Sequence, residues 1–340
     1  VQKIFVAALT VACLLAGQGV YAIVAATAVG NIVFIVIRAV LIRKLTDVRI
    51  LIGKPVAQDV KELVSFSGWV AVTELSNRCN WALVPSVLGI FSNTAAISVF
   101  GLASQLESYV YSIADAISAL LLPKMTRTIQ NDQDGEQLTE TMISIGRFQL
   151  FVAGAIILGF SVCGQAFINT WLSGSYSGLW LCTMLVISPH LLLLPQSPGS
   201  IAIIASGNVR ANCAINVTTM LISLIGSCAL APSKGAIGAC AALSVGFLIN
   251  SLLMTMLLKK KLLLKVKQFY AGVYGKWILP AGLVVVAGTY AVKLINPQGW
   301  TQLIWCCALF TLCYTALMAI MYLERSEIKR LAILVHRKGK

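Results

Sequence analysis

Residues 148–169 read FQLFVAGAIILGFSVCGQAFIN, 22 consecutive positions without a charged side chain. At about 1.5 Å of rise per residue, such a run crosses a hydrocarbon core of roughly 30 Å as a helix. A backbone in lipid has to satisfy its own N–H and C=O groups, which selects the helix over an open sheet. Comparable runs recur on both sides, giving ten candidate spans at about 4–17, 20–42, 64–90, 95–122, 148–169, 178–205, 211–231, 236–258, 275–294 and 301–323. The chain therefore reads as an all-α polytopic membrane protein with about ten transmembrane helices.

Composition supports this. Of the 340 residues, 58% are hydrophobic and 11% charged, with a mean hydropathy of +0.87, far from the balance of a soluble domain. The net charge of +14 lies between the apolar runs rather than along a folded basic surface, so it reads as a topology signal and not as a nucleic-acid footprint. The ten cysteines, among them Cys13, Cys79, Cys163, Cys240 and the pair Cys306–Cys307, fall inside apolar runs without metal-binding spacing and read as small packed residues. No sequence signature calls for a cofactor or a metal, and no phosphate-cradling glycine loop is present.

Loop charges alternate. Arg43, Lys44, Arg49 and Lys54, then Lys124 and Arg127, then Arg210, then Lys259, Lys260, Lys261, Lys265 and Lys267, and finally the tail from Arg325 to Lys340 follow the even-numbered spans. The opposite loops hold Lys234 and Lys293. By the positive-inside rule the even-numbered loops and the C-terminus are expected in the cytoplasm. The first run, 4–17, has Lys3 before it and small residues at Ala16–Gly17, the pattern of a cleaved signal as well as of a span. A span is the favoured reading, since the chain starts at Val1 and reads as a piece of something longer.

Residues 43–62 read as a cytoplasmic amphipathic linker. After Pro55, the side chains Val56, Val60, Leu63 and Val64 share one helical face and Gln58, Asp59, Lys61 and Glu62 the other. The chain then divides into 1–42 as the last two helices of a first lobe, 63–323 as a second lobe with additional helices, and 324–340 as a basic tail. The tail repeats the amphipathic pattern, with Ile328, Leu331 and Val335 set against Glu327, Lys329 and Arg330. A solvated linker without a partner is the plainer account of both amphipathic segments.

Polar residues within spans are the candidates for function, because their placement there is unfavourable. Glu74, Asn77, Arg78 and Trp81 recur at helical spacing and share a face of the third span. An Arg at the bilayer centre is disfavoured by about 2.5–3.5 kcal/mol, so that face is expected against a partner or a wet cavity. Arg78 can pair with Glu74 four residues earlier, or meet an anion, since its planar fork matches phosphate oxygens. The fourth span carries Ser104, Gln105, Glu107, Tyr109, Tyr111 and Asp115, with Glu107, Tyr111 and Asp115 spaced by four along a polar ridge that reads as lining a cavity. The sixth span contains Pro189, Pro195 and Pro198 around His190 and Gln196, and is expected to be bent or broken. His190 alone reads more readily as a packed or interfacial residue. Gly238, Ala242 and Gly246 form a small-residue face suited to close helix packing.

These residues resemble a known family. Asn80-Trp81, Leu88 to Ala96, Ala103-Ser104-Gln105-Leu106 and Leu122-Pro123-Lys124, followed by 167–176 and 235–239, resemble the bacterial polysaccharide flippases, the O-antigen and teichoic-acid exporters of the MOP superfamily. The resemblance is good over roughly 60–260 and looser at the ends. It implies a two-lobed bundle of 12 to 14 helices around a central cationic cavity, with about four helices upstream of this chain. The cavity accepts the pyrophosphate and glycan of a polyprenyl-linked oligosaccharide. Family members often carry an Asp and a basic residue a few positions before the Leu-Gly matching Leu88-Gly89, where this chain has Val84-Pro85.

The leading expectation is a flippase of the bacterial inner membrane serving surface-polysaccharide (O-antigen, lipopolysaccharide) biosynthesis. Arg78 would contact the anion and Glu74, Glu107 and Asp115 would set cavity charge. Trp81, Asn77, Gln105 and Tyr111 would read the sugar. Expected partners are the lipid-linked oligosaccharide, membrane lipids, a coupling H+ or Na+ and polysaccharide assembly proteins, with no nucleic acid. The alternatives are a cation-coupled multidrug exporter and a peptidoglycan-precursor flippase. A membrane polymerase or glycosyltransferase fits poorly, because the outward loops are too short to hold its site.

Overall fold

The computed structural model describes residues 5–6, 10, 20–45, 57–131, 135–172, 176–297 and 299–322; the side chains of 113–131 are outside the described ones. Most of the 4–17 run, Cys13, most of the 43–62 linker and the 324–340 tail also lie outside. All regular structure among the described residues is helical: α1 (Val20–Leu45), α2 (Ala57–Phe91), α3 (Thr94–Asn131), α4 (Glu136–Leu172), α5 (Leu179–Ile187), α6 (His190–Ala205), α7 (Val209–Leu262), α8 (Val266–Tyr274), α9 (Ile278–Ile295) and α10 (Trp300–Met321).

The chain forms two compact units, Val1–Lys61 and Glu62–Lys340. In the first, α1 packs Gly30 against Val6, and Phe34 meets Phe5 edge-on at 5.8 Å between centroids. The described part of the expected linker, from Ala57, is the start of α2, which runs without interruption through Lys61 and Glu62 to Phe91.

Among the described residues of the second unit, five helical stretches are long and apolar enough to cross a membrane: Glu136–Leu172, Leu179–Ala205, Val209–Leu262, Val266–Ile295 and Trp300–Met321. The 54 residues of α7 are two spans in one. The break is at Gly235, whose φ of 54° and ψ of −133° lie outside the reach of a β-carbon-bearing residue. The halves fold back on each other in register: Asn250 Nδ2 donates to Thr219 Oγ1 at 3.2 Å, and Gly226 faces Ala242. Gly246 lies against Ser223, and a β-carbon on Gly238 would be 2.5 Å from the Leu230 carbonyl oxygen. The small face Gly238, Ala242 and Gly246 is thus where the two halves touch.

α4 is the spine, in contact with α3, α5, α6, α8, α9 and α10. One buried cluster joins its start to α6, the end of α7, α8 and α10, through Met142, Leu150, Ile203, Leu258, Phe269 and Tyr314. A second joins its other half to α2, α3, α5 and the middle of α7, through Leu88, Phe100, Ile157, Val186 and Leu243. The turns sort to two ends. Gly135 packs on the Leu262 and Leu263 carbonyls and Lys265 bridges Glu136 at 2.9 Å at one end, whereas Ser92 meets Gly235 at the other.

Proline breaks the sixth span as expected, but at one place. The helix stops at Ser188–Pro189, while Pro195 and Pro198 remain inside α6. A proline cannot donate to the carbonyl four residues back, so Pro195 leaves the Leu191 oxygen without its usual partner. The Tyr274 hydroxyl on α8 donates to that oxygen at 2.9 Å. Other side chains also reach main-chain oxygens of a neighbouring helix, with Tyr314 donating to the Phe151 carbonyl at 3.0 Å, Tyr322 to Val273 at 2.9 Å and Arg147 to Gly272 at 2.9 Å. The Gln196 amide on α6 reaches Ser251 Oγ and Tyr270 OH, both at 2.8 Å, and so ties α6 to α7 and α8.

Replacing Tyr274 by Phe removes only the hydroxyl and strands the Leu191 carbonyl. The expected loss is about 1–2 kcal/mol, read as a lower thermal midpoint in detergent, with the exposed Tyr290→Phe as an unchanged control.

Candidate functional site between α2, α3 and α6

The hairpin of α2 and α3 turns at Ser92–Asn93. Asn93 Oδ1 accepts the Ala96 N–H at 2.8 Å, the side-chain cap that starts α3. Counting back along both helices from this turn, Arg78 on α2 and Glu107 on α3 reach the same depth, roughly 20 Å away at about 1.5 Å per residue.

At that depth α2 is exposed: Glu74, Asn77 and Arg78 all lie on its open surface, and Trp81 is half-buried. No ion pair forms between Glu74 and Arg78, so the pairing that their spacing permits is not made. Val84, where the family carries charge, is fully buried in the core, and Pro85 sits in an unbroken helix. The Arg78 guanidinium is therefore presented outward from a mostly apolar helix, an arrangement able to take a bidentate anion.

α3 divides its polar residues between two faces. Gln105 is exposed, with its amide 3.4 Å from Ser108 Oγ, and Tyr111 is exposed too. Glu107, read from the sequence as part of a cavity-lining ridge, is 6% exposed. Its Oε1 lies 2.9 Å from His190 Nε2, and the other ring nitrogen of His190 lies 3.0 Å from the Val186 carbonyl oxygen. The helix break places His190 there: as the first residue of α6, directly after Pro189, it turns toward α3 and the last turn of α5. Asp115 lies on α3, but its side chain is outside the described ones.

Aromatic rings enclose the pair. Phe247 of α7 stands edge-on to His190 at 5.4 Å and Tyr111 at 6.1 Å. Trp81 then packs on Phe247 at 6.0 Å and on Phe100 at 6.2 Å. Of the residues singled out in the sequence, Trp81, Glu107 and Tyr111 come together, while Glu74, Asn77, Arg78 and Gln105 occupy open surface. His190 and Phe247 were not recognisable as members. They are 83 and 140 positions beyond Glu107 in the chain, and nothing local marks either except the proline before His190.

Truncating His190 to Ala leaves a buried carboxylate without its partner, and the expected loss is about 3 kcal/mol in thermal or denaturant unfolding. The double change Glu107→Leu with His190→Leu is expected to recover most of it, because it leaves no stranded charge.

Residues 1–180 match a family model described as polysaccharide biosynthesis protein. The match starts at the first residue and so takes in the N-terminal stretch whose resemblance is loose to the eye. No curated protein matches the chain. Among solved structures, "Lipid II flippase MurJ, inward closed conformation" is similar, with a TM-score of 0.62 and 16% sequence identity, covering 93% of this chain and 65% of that one. At that identity the likeness shows the fold alone, a helical bundle like the one in that structure, and this chain spans 65% of that protein's length. With more than half of its residues inside the matched segment, the chain belongs to the polysaccharide biosynthesis protein family.

Proposed function

We propose that this chain is part of a flippase that moves a polyprenyl-pyrophosphate-linked oligosaccharide across the bacterial inner membrane for surface-polysaccharide assembly. The observation that carries the reading is the exposed Glu74–Asn77–Arg78 face in a family of polysaccharide biosynthesis proteins. An arginine far from either end of an apolar helix is disfavoured unless it has an anion or water to meet. A pyrophosphate meets the guanidinium as a fork, and its sugars meet amide and aromatic groups such as Asn77, Gln105, Trp81 and Tyr111. Glu74 and Asp115 would set the charge balance. Glu107 is turned away from the substrate by its contact with His190.

On this reading the even-numbered loops and the C-terminus face the cytoplasm. The meeting of Lys265 with Glu136 at one end supports it, since both belong to loops assigned to that side. Residues 1–42 would complete a first lobe and 63–323 a second. An H+ or Na+ gradient and polysaccharide assembly proteins would be its coupling ion and partners. The reading is one of transport, not catalysis.

A second reading is favoured by one finding, the fold shared with a protein titled lipid II flippase. A peptidoglycan precursor presents the same pyrophosphate to Arg78 and differs only in the glycan.

Arg78→Ala in the full-length protein is expected to cut surface-polysaccharide display at least about tenfold, the effect of losing a charged hydrogen bond, with membrane abundance unchanged. Lipid-linked repeat units should accumulate inside. Normal display removes Arg78 from substrate contact. Gene deletion separates the classes: lost glycan supports the first reading, lost peptidoglycan-precursor export the second, and altered dye resistance with both intact supports a drug exporter.

A further inference from the structure

His190 places both ring nitrogens against oxygens. Nδ1 lies 3.0 Å from the Val186 carbonyl oxygen and Nε2 lies 2.9 Å from Glu107 Oε1, with both side chains buried. A neutral imidazole has a single N–H and can donate to only one of these. With the proton on Nδ1, Nε2 turns a lone pair toward a carboxylate. With the proton on Nε2, Nδ1 turns a lone pair toward a carbonyl. Both contacts are hydrogen bonds together only when the pair holds one additional proton, as imidazolium with carboxylate or as imidazole with carboxylic acid. Either form is neutral overall, which is what a buried apolar site favours.

We propose that Glu107 and His190 form a proton-binding site that latches the first turn of α6 to α3 and to the last turn of α5: both contacts are hydrogen bonds while the proton is held, and one of them is lost when it leaves to water. The position is mechanical. His190 opens α6 directly after the Ser188–Pro189 break, where the N–H groups of Leu191 and Leu192 donate to the Ser188 and Pro189 carbonyls of the turn. Beyond this turn α6 is tied down, by Tyr274 on Leu191 and by Gln196 to α7 and α8. Release at His190 therefore frees one side of a hinge whose other side stays anchored. The pair lies one ring below the surface, since the Tyr111 ring that touches His190 is itself 50% exposed.

Among the described side chains, the other ionisable groups named on the surrounding helices are free thiols, are bonded elsewhere or are open to the surface; the Asp115 side chain on α3 is outside the described ones. On α5 and α7, Cys182 and Cys240 are buried free thiols. On α4, Arg147 donates to Gly272 and Cys163 is a buried free thiol. On α8, Tyr270 and Tyr274 bond to α6. On α2, Glu74 and Arg78 are exposed, as is Tyr109 on α3. Among the described side chains, the proton is thus assigned to the Glu107–His190 pair.

The inference deepens the flippase reading by naming the ligand that sets the α3–α6 contact, and rests on that reading only for its use in transport. The test is hydrogen exchange by mass spectrometry on the full-length protein in lipid nanodiscs without substrate, corrected for the intrinsic effect of pH. Protection of the segment 186–192, across the helix break, is expected to fall on the order of tenfold as pH is raised through release of the proton. Glu107→Gln and His190→Gln each supply an amide N–H in place of the proton and should make protection independent of pH. A pH-independent wild type, or a wild-type response retained in both variants, overturns the latch. Either result leaves glycan export untouched as evidence, so a failed latch with lost glycan on gene deletion still supports the flippase. A working latch with unchanged glycan on deletion refutes only the substrate.

Discussion

A main-chain carbonyl without water nearby has to find a donor inside the protein, and this constraint organises the second unit more than any single apolar contact. Regular helix supplies donors until proline interrupts it. Where Pro195 removes one, Tyr274 reaches across from α8. Around the Ser188–Pro189 break, His190 turns its own ring to the Val186 oxygen. Tyr314, Tyr322 and Arg147 make the same kind of contact elsewhere, each joining two helices by one long side chain. Apolar surface gives little preference for one helix neighbour over another when lipid is the alternative, so these polar ties carry much of the specificity of packing.

The two polar regions at the depth of Arg78 follow from this and are chemically opposite. The Glu107–His190 pair is enclosed by rings and satisfied internally. The Glu74–Arg78 face is open and unpaired within itself. The Arg78 cation is open at the surface, whereas the acid–base pair is enclosed by the protein's own rings. Trp81 touches both regions, on the same helix as Arg78 and through Phe247 beside His190, so a change at the latch has a short physical path to the open face.

Family membership and fold agree with this division. The matched segment ends at residue 180, just before the helix break, and so includes the open face and Glu107 but not His190. The structural similarity extends over 93% of the chain.

Helical character was legible along the sequence because it depends on local apolar length, and the run at 148–169 became the central helix α4 with little change. The split of 209–262 into two spans was legible as well, since Gly235 and the small residues after it announce a turn and a close contact. The separation of charges into two sets of loops was readable for the same reason: charge stays out of lipid. The faces were not legible. Spacing grouped Glu107 with exposed neighbours such as Tyr111, and it allowed Glu74 to pair with Arg78, because helical period says which residues share a side but not what that side meets. His190 looked isolated for the same reason. Its partner lies on another helix 83 residues away, and only the packing of α3 against the broken end of α6 brings the two within hydrogen-bonding distance.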